Sequence, residues 1–463
     1  MKITRGAEWS TPSRVAVAAP ATAGVTPRWL LRITLTCSFA LGVAQYAVSS
    51  GAAAFVPLAG IAFCGLLVLC GRKRTDRVQH ILGGGGLLFV AMLFGEVVSY
   101  TSNDKYSQVY GLVFVGLFLC ARLIVQELGV ANIIRAYSQA GMLTVCLILV
   151  MGRQTLFAEQ TRFSGGTRAH PNLIAFVLAG FFPVLVWRAM EEKARWKKTA
   201  LSGLSLAAFG LMFLTGSRGS LSALLFCGAA LLMRGIGTGW LRRFRIRHLH
   251  IIVLLIMLPV AVMFLLQHNR IGHIVDFTID FLALNTSQRG LKSGLSGRTS
   301  VWQIAFRLLR ARNRWLFGFG YRAGDHMVGT IDNGYIQLVF ESGLIAGGLI
   351  FGSMLRVFFV LWKASSCRVN NAWNRYYLML WCLMIVYFLN NISTRYLFSF
   401  GSPFSLCVLF LMAASRRELL GDGEPQVTAR ALSSSAGPAS RSAVWNRSGA
   451  WRGPGIAAGG TWK

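Results

Sequence analysis

Asp332-Asn333-Gly334-Tyr335-Ile336-Gln337-Leu338-Val339-Phe340-Glu341-Ser342-Gly343-Leu344-Ile345-Ala346-Gly347-Gly348 decides how this chain reads, because here a polar stretch runs straight into an apolar one. The apolar side continues to about residue 362, and about 20 apolar residues of helix cross a bilayer. The polar side reaches back to His268 and is the only long polar excursion in the chain. On either side, apolar runs alternate with short polar connections, the pattern of an all-α polytopic membrane protein.

Composition agrees. Apolar residues make up 54% of the 463 positions and charged residues 14%. Twelve candidate spans fall at about 29–48, 51–70, 81–100, 108–126, 137–152, 171–188, 200–215, 219–234, 250–267, 334–362, 375–391 and 396–414. Alternate short connections hold twenty Lys and Arg on one side and six on the other. The positive-inside rule places the first set in the cytoplasm, so both termini face inward and residues 268–333 face outward. The net charge of +31 thus reflects retained loop cations, which makes nucleic acid a poor partner and leaves a membrane-borne anionic substrate open. Of nine cysteines, all but Cys367 lie in or beside apolar runs, with no zinc spacing or disulfide framework. Neither a metal nor another cofactor is expected.

The outward loop carries nine basic residues against four acidic ones. Either an interfacial helix touches anionic head groups or the loop binds a phosphate-bearing lipid. From Thr299 to Leu316 the periodicity predicts a helix with Arg307, Arg310 and Arg314 on one face and Val301, Ala305, Leu308, Leu309, Trp315 and Leu316 towards the other. Residues 1–28 and 421–463 read as disordered cytoplasmic tails around a transmembrane domain at 29–420, with the first apolar run acting as an uncleaved signal anchor.

Arg162-Phe163-Ser164-Gly165-Gly166-Thr167-Arg168-Ala169-His170-Pro171-Asn172, Gly216-Ser217-Arg218-Gly219-Ser220, Gly297-Arg298-Thr299 with Trp302, and Asp332 to Gly347 share the outward side. In order and spacing the set resembles the O-antigen ligase and polymerase superfamily, over residues 150–400. The resemblance implies a membrane glycosyltransferase (GT-C-like) fold of about twelve helices with one large periplasmic loop. It implies metal-independent, inverting transfer of glycan from undecaprenyl diphosphate to a sugar hydroxyl at the bacterial inner membrane, in O-antigen or exopolysaccharide synthesis. Ligases of the superfamily typically carry His-Asn where this chain has Asp332-Asn333. That difference favours a polymerase, which joins lipid-linked repeat units, over a ligase, which moves finished glycan to a lipid A core or protein. A flippase for the lipid-linked oligosaccharide is the alternative of another class, and a flippase or chain-length regulator is a possible partner of a polymerase.

A diphosphate leaving group needs cations rather than a general acid, and arginine binds phosphate oxygens through a planar fork. Arg218 and Arg298 are the first candidates, against a snorkelling helix-end and a helix-start role respectively; Arg162 and Arg168 follow, as either phosphate ligands or solvated loop arginines. Asp332 is the candidate base or acceptor-orienting group, or else the N-cap of its helix. His326 and Asp325 are alternatives for the base, and Asn333 adjoins it in the same motif. Trp302, Trp315, Tyr321 and Tyr335 either stack on sugar rings or belong to an interfacial aromatic belt. His170-Pro171-Asn172 reads as a helix start. Glu341 is expected to face the bundle interior, Glu96 is a further candidate for the same cavity, and Gly343 with Gly347 reads as a close-packing pair.

Overall fold

Eleven of the twelve apolar runs fall on α-helices in a computed structural model that describes residues 28–44, 56–71, 86–101, 105–156, 163–164, 170–237, 298–366, 372–397 and 402–420. The run at 250–267, the loop residues 268–297, Arg162, Arg168, Cys367 and the two tails lie outside the described residues. Among the described residues all regular structure is helical: α1 (Arg28–Ala44), α2 (Val56–Gly71), α3 (Gly86–Thr101), α4 (Lys105–Leu128), α5 (Val130–Leu156), α6 (Pro171–Glu191), α7 (Arg195–Leu214), α8 (Arg218–Gly237), α9 (Arg298–Ala311), α10 (Ala323–Met327), α11 (Gly334–Ser365), α12 (Ala372–Ser393), α13 (Pro403–Ala413) and α14 (Arg416–Leu420). α4, α5, α6, α11 and α12 each hold a stretch long and apolar enough to cross a membrane. α2, α3, α8 and α13 are apolar but shorter.

Packed neighbours close a ring in the order α2, α1, α5, α6, α12, α11, α3, α4 and back to α2. α7 lies against α6, and α8 against α12. Inside the ring stands α13, which touches α1, α4, α5, α6 and α11 and has all eleven of its residues buried. A helix apolar on every side belongs in an interior. At about 16 Å it is too short to cross a bilayer, which corrects the expected full span at 396–414. Aromatic rings hold it there: Phe39 meets Tyr137 at 5.3 Å and Phe410 at 5.9 Å, and Phe404 meets Phe176 at 4.9 Å and Tyr387 at 5.1 Å. Truncating such a ring to alanine costs about 3–5 kcal/mol.

The last carbonyls of α13 have no partner within their own helix. Two arginines supply one. Arg122 donates to the Ala413 carbonyl at 3.3 Å and pairs with Glu418, while Arg356 donates to the Met412 and Ala414 carbonyls at 2.9 Å each.

At the opposite end of the ring α11 is broken. Gly343 has φ 70° and ψ 179°, outside helical geometry and in a region that favours glycine. The segment after α9 inserts at this break. Phe319 and Gly320 donate their N–H groups to the carbonyls of Phe340 and Glu341 (3.0 and 2.8 Å), and Leu344 and Ile345 donate theirs to the carbonyls of Trp315 and Leu316 (2.8 and 3.2 Å). The loop therefore satisfies backbone groups that an apolar surrounding would leave costly. A Cβ on Gly343 would stand 2.3 Å from the Leu316 carbonyl oxygen, and one on Gly318 2.5 Å from that of Glu341. Gly343 is thus the break that receives the loop, not half of a helix-packing pair, and the nearest neighbour of Gly347 is Leu338 of its own helix.

α9 ends at Ala311, before the expected Leu316, where Asn313 turns left-handed at φ 51°. Its faces agree with the periodicity. Ala305 and Leu309 are buried on a cluster with Ala323, Ile331 and Phe340, whereas Arg307 and Arg310 are exposed.

Candidate active site

α11 begins at Asn333. The Asn333 Oδ1 accepts from the N–H groups of Tyr335 and Ile336 at 3.0 Å each, and its Nδ2 donates to the Ile392 carbonyl at 2.9 Å. Asn333 is therefore the N-cap, a correction to the assignment of that role to Asp332. Both residue types cap helices well, and only the geometry separates neighbours. With the cap filled, the Asp332 carboxylate turns to Arg298 Nε, 3.3 Å away. The side chains of Arg298 and Asp332 keep 27% and 36% of their exposure, so a ligand can reach both. Two of the three candidate catalytic residues are thus in direct contact.

The third enters through α12. The final turn of α12 carries Asn390 and Asn391, both fully buried, and runs on to Arg395. Ser220 Oγ donates to Asn390 Oδ1 at 2.7 Å. A Cβ on Gly219 would meet Ser393 Oγ at 1.8 Å, and one on Gly334 would meet Asn391 Oδ1 at 3.0 Å. The α8 start, with half-buried Arg218 as its first residue, and the α11 start therefore lean on the same turn of α12. Phe163 joins them through its N–H to the Leu214 carbonyl at 3.1 Å. His170 caps α6, its Nδ1 accepting from the Asn172 N–H at 3.2 Å with Pro171 in the first turn, as the sequence predicts.

A second ionic cluster adjoins the first. Asp325 receives Arg322 at 3.2 Å and Arg395 at 3.0 Å, and Arg395 also donates to Thr330 Oγ1 at 3.3 Å. The Arg322 guanidinium lies 5.1 Å from the Tyr110 ring centre. Burial works against its charge, but the carboxylates of Asp325 and Glu341 outweigh that and push its pKa above the ordinary arginine value. Buried Glu341 faces the interior as expected, its carboxylate accepting from Gln337 Nε2 at 2.8 Å.

The other candidates separate. His326 is exposed near the end of α10. Trp302 packs on the apolar cluster under α9, and the Tyr335 hydroxyl donates to the Phe388 carbonyl at 2.8 Å. Tyr321 is not a sugar platform: it is 3% exposed, stacks on Phe114 at 4.6 Å and donates its N–H to Ser99 Oγ at 3.0 Å. Burial pushes its phenol up, with Glu341 and Glu96 adding to the effect. Sequence reasoning counted Arg395 only as an outer-loop charge; the Asn390-Asn391 pair inside an apolar helix is the signal that marks its turn.

These features define an all-helical protein, with helices suited to a membrane and a cluster of ion pairs where three of its helix ends meet. The chain matches no protein-family model and no curated protein.

Proposed function

We propose that the chain is a polysaccharide polymerase of the bacterial inner membrane. It transfers a growing glycan from undecaprenyl diphosphate to a sugar hydroxyl of another lipid-linked repeat unit. In this reading the apolar helices build a GT-C-like fold, with α13 inside it, and the cluster around Arg298 and Asp332 faces the periplasm. The observation that carries the reading is the Arg298–Asp332 contact at 3.3 Å, set beside the turn of α12 on which the Arg218 segment rests. It joins a phosphate ligand to a proton acceptor, the two groups that this transfer requires.

The acceptor hydroxyl oxygen attacks the anomeric carbon from the side opposite the diphosphate. The carbon–oxygen bond to the diphosphate breaks, its electron pair leaves on the phosphate, and the hydroxyl proton passes to Asp332. The configuration inverts. Arg298 exchanges its carboxylate for a phosphate oxygen when the donor binds, which frees Asp332 as the acceptor orients. Arg218, and Arg162 and Arg168 from their loop, offset the remaining negative charge, so the reaction proceeds without a metal.

The test is the glycan profile of the source cell with this gene deleted, read by gel and mass spectrometry. Loss of long chains with single repeat units retained supports the polymerase. Long chains stranded on undecaprenyl diphosphate would make the protein a ligase, and repeat units held on the inner leaflet a flippase.

A further inference from the structure

Arg298, Arg322 and Arg395 each hold an acidic partner, whereas Arg307, Arg310, Arg312 and Arg314 have none among the described residues. These four lie within one short stretch, three of them exposed and Arg314 half-buried. Cations packed this densely repel one another unless anions join them. Directly after them the chain presents Leu316 and Phe317, 52% and 42% exposed. Backbone hydrogen bonds from Leu344 to Trp315 and from Ile345 to Leu316 bring this segment beside Leu344 and Ile345, themselves 49% and 39% exposed, while the Phe317 ring stacks on Phe94 at 5.8 Å. The result is one apolar patch with a basic edge.

The break in α11 sets the level of that edge. Gly334–Ser365 runs for 32 residues, about 48 Å, which exceeds a hydrocarbon core of about 30 Å. The part beyond Gly343 measures about 33 Å and matches that core. A bilayer matched to that part would take Leu344 and Ile345 into its hydrocarbon and set the arginine-bearing stretch beside its surface.

We propose that Arg307, Arg310, Arg312 and Arg314 form a binding surface for anionic phospholipid head groups, with Leu316 and Phe317 seated among the acyl chains. Charge complementarity and the adjoining apolar patch select this occupant, because a soluble acidic partner would leave the patch uncovered. The inference stands independently of the glycosyl-transfer reading. Through the hydrogen bonds of residues 315–320 to the broken helix, bound lipid would also steady the segment that leads to Arg322 and Asp325.

The test uses the full-length protein in detergent with phosphatidylglycerol and phosphatidylcholine in competition, and native mass spectrometry counts the lipids retained. The wild type is expected to prefer phosphatidylglycerol. R307Q/R310Q/R312Q/R314Q is expected to lose that preference, and the corresponding lysine variant to keep it, because charge near a membrane surface contributes about fivefold per residue. Should the glutamine variant misfold, R310Q and R312Q singly are each expected to lower the preference by about that factor. No preference in the wild type, or an unchanged preference in the glutamine variants, overturns the proposal. So does retention of a lipid diphosphate with no retention of phosphatidylglycerol, which would assign the surface to substrate.

Discussion

Arginines gather at both ends of the helix ring, and the two groups do different things. At one end Arg122 is buried and Arg356 half-buried, and both donate to the last carbonyls of α13. At the other, Arg298, Arg322 and Arg395 keep about a third of their exposure and face carboxylates. A buried guanidinium bound to main-chain carbonyls is part of the scaffold. A half-exposed one paired with a movable carboxylate can trade that partner for a ligand. Net charge along the sequence does not separate the two kinds; the main-chain carbonyls that Arg122 and Arg356 engage do.

The largest expected effect sets scaffold against site. Arg122→Ala removes the donor to the Ala413 carbonyl and the cation paired with Glu418, and should cost about 3 kcal/mol of stability, seen as a lowered Tm in detergent. Arg298→Ala and Asp332→Asn should each cost under about 1 kcal/mol, since an exposed pair contributes little. Glycan transfer by the same two variants should fall by about 10²–10³. A large Tm loss in Arg298→Ala would erase the distinction.

Gly343→Ala should destabilise by about 2 kcal/mol, because φ 70° strains any other residue and the facing Leu316 carbonyl belongs to the main chain. Protease cleavage within 312–320 should rise with it. Asn333→Ala should cost about 1 kcal/mol through loss of the cap, and Asn333→Asp should recover the cap but not the bond to the Ile392 carbonyl, since a carboxylate cannot donate. A comparably small effect belongs to Trp302→Phe, about 1 kcal/mol of packing with transfer retained. Transfer lost at normal stability would return Trp302 to the sugar-binding surface.

The helices were legible because their apolar composition states the environment directly, and α9 was legible because Arg307 and Arg310 alternate with Ala305 and Leu309 at helical period. The break at Gly343 was not. Apolar residues continue on both sides of it, and its backbone conformation is imposed by a loop more than twenty residues earlier. The half-length of α13 escaped for a related reason: hydropathy reports burial but does not distinguish lipid from protein. Around the candidate site, Asp332 read as a base or as the helix cap, and the cap fell one residue later, on Asn333. The pairing of Arg395 with Asp325 joins residues 70 apart, a contact no local pattern encodes. Arg162 and Arg168 lie outside the described residues, so their part in phosphate binding rests on the sequence and the proposed chemistry.

The most direct measurement is glycan transfer by purified Arg298→Ala and Asp332→Asn proteins supplied with undecaprenyl-diphosphate-linked repeat units, alongside their thermal denaturation. The account predicts wild-type Tm with extended lipid-linked chains nearly absent from both. Extended chains at the wild-type level from either well-folded variant would contradict it.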